Sequence, residues 1–222
     1  MTETSTSRGG LPDFRTRLQR RMGRLSQWRP FLCEGSPLQA DAFIVGSNTT
    51  RPTGPFWDWW DDHYGFKKSE WYQCQYLPAA GGRPSPTRGN IDKLIGNVRL
   101  RAGKAARCIE TNVYLQPSPT EKSIINKSSW CFEFLLEFLE PRVMLLHGKK
   151  AQRFLLKKLR NYGFGTRTFA TCGSHFTAVP FPWGAVLIRT IPHLRATSQS
   201  TLSKVATELS DAIEQTRSDP QR

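Results

Sequence analysis

Apolar residues fall along this chain in two alternating rhythms. Over residues 12–28, Phe14, Leu18, Met22 and Leu25 recur at helical spacing with arginines on the other faces, which predicts an amphipathic helix. Residues 42–45 form an unbroken apolar run that Gly46 ends, the pattern of a strand buried on both faces. The same pattern predicts strands at 107–113, 142–146 and 184–191, the last pairing with 175–181 as a hairpin. Helices are predicted at 128–139, stopped by Pro141, at 149–162, ended by Gly163, and at 200–215 after a serine- and threonine-rich cap. Residues 56–76 are rich in aromatics, with Ser69 read as the cap of a short helix, and residues 78–86 read as a loop. Strands alternating with helices imply the α/β class. The expected architecture is a three-layer α/β/α domain around a central, mostly parallel four-stranded sheet. It is expected to occupy residues 31–216, behind a basic tail and helix at 1–30 and ahead of a short tail at 217–222.

Composition narrows the class. Hydrophobic residues make up 38% and charged residues 23%, the balance of an ordinary globular chain. The longest apolar runs are far too short to cross a bilayer, so no membrane association is expected. The first residues are polar and carry no apolar signal region, so a cytoplasmic location is the expectation. Five cysteines, Cys33, Cys74, Cys108, Cys131 and Cys172, stand apart with no C-x-x-C pair, which indicates neither a zinc site nor a disulfide framework. They read as reduced, mostly buried thiols.

Charge changes the picture more. The formal net charge is +14, and no Asp or Glu occurs between Pro141 and Thr207, where eleven lysines and arginines do. A second basic cluster, Arg15, Arg17, Arg20, Arg21 and Arg24, lies on the first predicted helix. A surface so uneven attracts a polyanion, which makes nucleic acid, DNA or RNA, the expected partner. No obligate protein partner is inferred. Such charge reports phosphate contact and says nothing of base reading or catalysis.

In open parallel sheets, ligands bind just past the carboxyl ends of the strands. The residues in those places are Ser47-Asn48-Thr49, Asn112, His147-Gly148-Lys149 and Pro192-His193-Leu194-Arg195. Their order resembles the uracil-DNA glycosylase superfamily. Phe43-Ile44-Val45-Gly46-Ser47-Asn48 is similar to its first motif, with Asn48 in the activating place, as in the mismatch-specific uracil glycosylases. Thr111-Asn112-Val113 resembles the second-strand motif whose asparagine reads the uracil edge. The segment from Pro141 to Ala151 resembles the third strand and its glycine turn, and Ile191-Pro192-His193-Leu194-Arg195 stands where the closing H-P-S motif would. The resemblance spans residues 31–213.

That resemblance implies a DNA glycosylase, an enzyme hydrolysing the N-glycosidic bond of uracil or a related damaged base flipped out of the helix. Asn48 and His193 would be catalytic, and Gly46, Ser47, Phe56, Trp57 and Asn112 would hold the base. His147, Lys149 and Lys150, at a helix start, and Arg195 would bind phosphate. An amide orients water but takes up no proton, so Asn48 would act as a positioner with slow turnover. Asn112 can match donor and acceptor on the uracil edge, and His193 can donate to an oxygen that gains charge. Extruded bases stack on an aromatic face, for which Phe56 is the first choice and Trp57 the second.

The chain departs from the family at Thr49, where proline is usual, and at Leu194-Arg195, where proline and serine close the motif. It has no counterpart of the cysteines that hold an iron–sulfur cluster, so no cofactor and no metal is expected. The alternative is a nucleic-acid-binding module that keeps the fold without the chemistry. A nucleotide hydrolase is a weaker third reading, because neither a G-x-x-x-x-G-K-[ST] loop nor a G-x-G-x-x-G fingerprint is present.

Overall fold

The computed structural model describes residues 9–23, 28–48, 54–117, 129–161 and 173–219. Leu25, Thr49, Gly163 and Cys172, which the sequence singled out, lie outside these residues. The chain enters through helix α1 (Leu11–Met22) and two short strands, β1 (Phe31–Leu32) and β2 (Glu34–Gly35). Strand β3 (Ala42–Gly46) comes next, then β4 (Trp60–Asp61) and β5 (Gly65–Lys67). Short helices α2 (Lys68–Trp71) and α3 (Leu77–Ala79), joined by a wider turn at Tyr72–Tyr76, lead into the long α4 (Pro86–Arg101). Then come β6 (Cys108–Asn112), α5 (Trp130–Leu139), β7 (Val143–His147) and α6 (Lys149–Asn161). The hairpin β8 (Thr177–Phe181) and β9 (Gly184–Ile191) precedes the last helix, α7 (Gln199–Arg217).

The main sheet has six strands in the order β1-β6-β3-β7-β9-β8. Its four central strands are parallel, and β1 and β8 join antiparallel at the edges. The expected four-stranded parallel sheet is thus the centre of a mixed six-stranded one. With two residues, β1 is too short to show any alternation in sequence. The hairpin partner β8 tolerates Pro180 because an edge strand can spare the missing donor. A second, antiparallel sheet, β2-β5-β4, leaves no mark on the sequence pattern for the same reason of length.

Helices cover both faces because alternate strand residues point to opposite sides. Phe43, Val45, Ile109, Met144 and Leu146 pack with Phe14 and Leu18 of α1, Phe132 and Leu135 of α5, and Leu155 of α6. Ala42, Ile44, Cys108, Val143 and Leu145 pack with Leu94 and Val98 of α4 and Val205 and Leu209 of α7. Burying each of these leucines contributes roughly 1.5–3 kcal/mol.

Helix α4 falls where the sequence suggested only the end of a loop. Its start carries a plain signal nonetheless: the Ser85 hydroxyl accepts from the Arg88 N–H at 3.2 Å, and Pro86 takes the first helical position. Ser69 is not a cap. It lies inside α2, where its N–H and hydroxyl both donate to the Glu34 carboxylate. Among the described residues no helix is long and apolar enough to cross a membrane.

Candidate functional site

Gly46, Asn112, His147 and Ile191 end four adjacent parallel strands. Gly46 pairs with Asn112 across β3 and β6, and His147 with Ile191 across β7 and β9. From β3 the chain crosses to β6 on one side, while β7 lies on the other, so their following loops part and leave a crevice. A cleft of about 650 Å³ occupies that place. Ser47, Asn48, Asn112, His147, His193 and Arg195 line it together.

The floor is built on a close approach at Gly46. A side-chain carbon there would meet Asn112 Oδ1 at 2.6 Å and His147 Cε1 and Nε2 at 2.9 Å, so only glycine admits both groups. Ser47 and Asn48 continue the strand outward. The Ser47 hydroxyl lies 3.4 Å from Asn48 Oδ1, a long hydrogen bond, and its carbonyl accepts the Tyr114 N–H at 2.9 Å.

His147 is 5% exposed, and its Nδ1 has no hydrogen-bond partner among the described residues. Burial pushes the imidazole down to about 3, His193 and Arg88 push the same way, and Glu110 opposes them. It is therefore neutral at physiological pH.

His193 stands edge-on to His147, with ring centroids 5.2 Å apart at 82°. Gly148, at φ +86°, turns the chain between β7 and α6, and the His193 ring packs over it. The His193 Nδ1 accepts the Arg195 N–H at 3.2 Å as the cap of a short turn. That bond leaves the proton of the neutral ring on Nε2, where it can be donated. Partial burial, then Arg195, lowers the His193 pKa. The Asn90 amide nitrogen ties this loop to α4, donating to the Leu194 carbonyl at 2.6 Å.

A buried charge network forms the opposite wall. Glu110, on β6 two residues before Asn112, pairs with Arg88 of α4 and with Lys68 of α2, the latter at 2.5 Å. Burial alone would raise the Glu110 carboxyl, but Arg88 and Lys68 outweigh it and bring it down to about 2. Arg88 is 7% exposed and also lies 3.5 Å from Asp92. Arg29, Arg83 and Tyr76 also line the cleft. The Arg29 guanidinium lies over the Trp71 ring at 5.2 Å, and burial, with help from Arg88, lowers it to about 10. With Arg195, the described lining thus carries four arginines against one carboxylate.

Some expected residues are elsewhere. Phe56 is buried in the aromatic core, stacked on Phe66 at 4.6 Å and 3°, and neither it nor Trp57 lines the cleft. A short turn at Phe56–Trp59 draws both rings toward Trp60 and Phe31. Tyr76 is the large aromatic ring among the described lining residues. Lys149 and Lys150 are exposed at the start of α6 and do not line the cleft, though His147, two residues before Lys149, does.

Glu110 and Arg88 escaped sequence reading, yet a signal existed for the first. An acid inside the otherwise apolar strand Cys108-Ile109-Glu110 must be paired where it is buried. Cys33, Cys108 and Cys131 are buried thiols, and Cys74 is exposed. Burial pushes the Cys108 thiol up to about 12, which leaves it unreactive. Among the described residues no group of three His, Cys, Asp or Glu could hold a metal ion. No family model matches the chain, and no curated protein matches it.

Proposed function

We propose that the chain is a uracil-DNA glycosylase-like hydrolase that flips uracil or a related damaged base from DNA and cuts its N-glycosidic bond. The observation that carries this reading is the meeting of Asn48, Asn112 and His193 in one cleft at the strand ends, 64 and 81 residues apart along the chain. Breaking the bond develops positive charge on the sugar and negative charge on the base. Asn112 and the His193 Nε2–H would donate to the base oxygens, and Asn48 would orient water beneath the sugar carbon. Arg195, with Arg29 and Arg83, would neutralise the phosphates flanking the flipped nucleotide.

Purified protein incubated with uracil-containing single- and double-stranded oligonucleotides, then treated with alkali, should give strand breaks at uracil. Asn48→Ala should slow the reaction about 10²-fold, the low end for loss of a group that manages a proton or its carrier. Intact oligonucleotides at enzyme excess across a lesion panel would reject the reading. DNA binding without abasic product, unchanged in Asn48→Ala, would make the chain a binding module, the alternative that the altered closing motif Leu194-Arg195 keeps open. Affinity for DNA should fall steeply with salt. In Arg195→Gln the slope of log affinity against log salt should flatten by about 1, because one phosphate contact is lost. Fluorescence anisotropy at several salt concentrations reads both quantities.

A further inference from the structure

We infer that His147 contacts the extruded base as a further donor beside His193, and so strengthens the preference for uracil that the proposed activity implies. The inference rests on the glycosylase reading of the cleft and names the substrate edge that the site would accept. Three features set His147 apart from a phosphate ligand. It ends the central strand β7 on the floor of the cleft, whereas its neighbours Lys149 and Lys150 project to solvent on α6. Its Cε1 and Nε2 crowd the same point above Gly46 that Asn112 Oδ1 crowds, so it shares a surface with the amide assigned to base reading. It is uncharged at neutral pH, pushed down to about 3 first by burial and then by His193 and Arg88, so it offers a phosphate no net attraction.

The position of its proton follows from burial. Nδ1 is enclosed and has no partner among the described residues. An orphaned buried N–H is rarer than an orphaned acceptor, so the neutral ring carries its proton on Nε2, the nitrogen near Gly46. His193 is fixed in the same tautomer by the Arg195 N–H at its Nδ1. Two neutral imidazoles, edge-on at 5.2 Å, therefore present two N–H donors to one cleft. Uracil and its 5-substituted relatives have an oxygen on each side of a ring N–H, for which Asn112 Oδ1 is the acceptor. Cytosine places an amino group where one of those oxygens would be, setting donor against donor. A site built to hydrogen-bond a substrate group discriminates strongly against an analogue that leaves its polar atoms unpaired. Neutral donors also gain strength as the base departs with negative charge.

Three proteins separate the possibilities: wild type, His147→Leu, and His147→Gln, which restores a donor. His147→Leu should release uracil about 10²-fold more slowly, and His147→Gln should recover most of that rate. Affinity for an abasic-site oligonucleotide and its salt slope should be the same in all three. Free uracil and free cytosine, titrated into the same proteins and followed by ligand-observed NMR, read the contact without the chemistry. Wild type should bind uracil in preference to cytosine, and His147→Leu should show a weaker preference, because Asn112 and His193 still face the base. A reduced salt slope with unchanged release in His147→Leu would make the residue a phosphate ligand and overturn the inference, as would unchanged release and preference. A wild type that releases no base yet prefers uracil overturns the hydrolase reading and keeps this one. A wild type that prefers neither base overturns the inference itself.

Discussion

Glu110→Ala should destabilise the fold by roughly 3–5 kcal/mol, the range for removing one partner of a buried ion pair. Glu110 is 6% exposed and stands between Arg88, 7% exposed, and Lys68. Without the carboxylate, the cations of α4 and α2 keep only the longer contacts to the part-exposed Asp92, 3.5 Å from Arg88 and 3.4 Å from Lys68, and otherwise face each other. The pair itself is not where the stability comes from, since bringing the charges out of water costs about as much as their attraction returns. A combined Glu110→Leu, Arg88→Met and Lys68→Met protein should therefore recover most of the loss. Urea unfolding of wild type and both variants measures this; an unaltered midpoint in Glu110→Ala, or a triple variant weaker than the single, would contradict it.

The pH dependence has a definite sign. The folded-state Glu110 pKa lies below its ordinary value of 4.5, at about 2. Its contribution is therefore complete above the unfolded value and is lost as pH falls through 4.5 toward 2. Wild type should lose stability over that interval more steeply than Glu110→Ala.

What the sequence makes legible, and what it hides, divides along the range of the interactions. Strands β3, β7 and β9 and helices α1, α5, α6 and α7 announce themselves because each buries a face within its own span. Asn48, Asn112 and His193 can be named as partners because Asn112 ends β6 while Asn48 and His193 lie just past β3 and β9, and an open parallel sheet gathers the residues at its carboxyl ends. Arg88 and Glu110 cannot, because their pairing depends on where α4 crosses β6. Helix α4 is hidden in turn by Gly89, Gly96 and its arginines, which dilute the apolar stripe of Ile91, Leu94, Ile95 and Val98. The aromatic block misleads for a related reason. Nearness in sequence to the first motif suggests that Phe56 faces the base, whereas the short turn at Phe56–Trp59 carries the ring into the core beside Phe66. An aromatic residue states only that it will be buried; which hollow it fills is settled by the elements around it.

Gly46→Ala isolates the part of the site that the fold does not need. Gly46 is not among the residues with positive φ, so alanine meets no backbone strain there, only a lack of room. Its methyl carbon would lie 2.6 Å from Asn112 Oδ1 and 2.9 Å from His147 Nε2, well inside contact distance. Both are side-chain atoms at the strand ends, so they can yield while the hydrogen bonds of β3 with β6 and β7 stay in place. The cost to stability should be the roughly 1–3 kcal/mol of overpacking, small beside that of Glu110→Ala. The cost to base release should be much larger. A misplacement of about 1 Å in one aligning group can slow a reaction about 10²-fold, and here the amide proposed to read the base and the neighbouring imidazole move together. Base release should fall by at least about 10³-fold while the circular dichroism spectrum is unchanged. Affinity for an abasic-site oligonucleotide should persist, because the arginines of the cleft wall do not rest on Gly46. Equal release by Gly46→Ala and wild type would mean that neither Asn112 nor His147 touches the base, and the cleft would then need a different ligand.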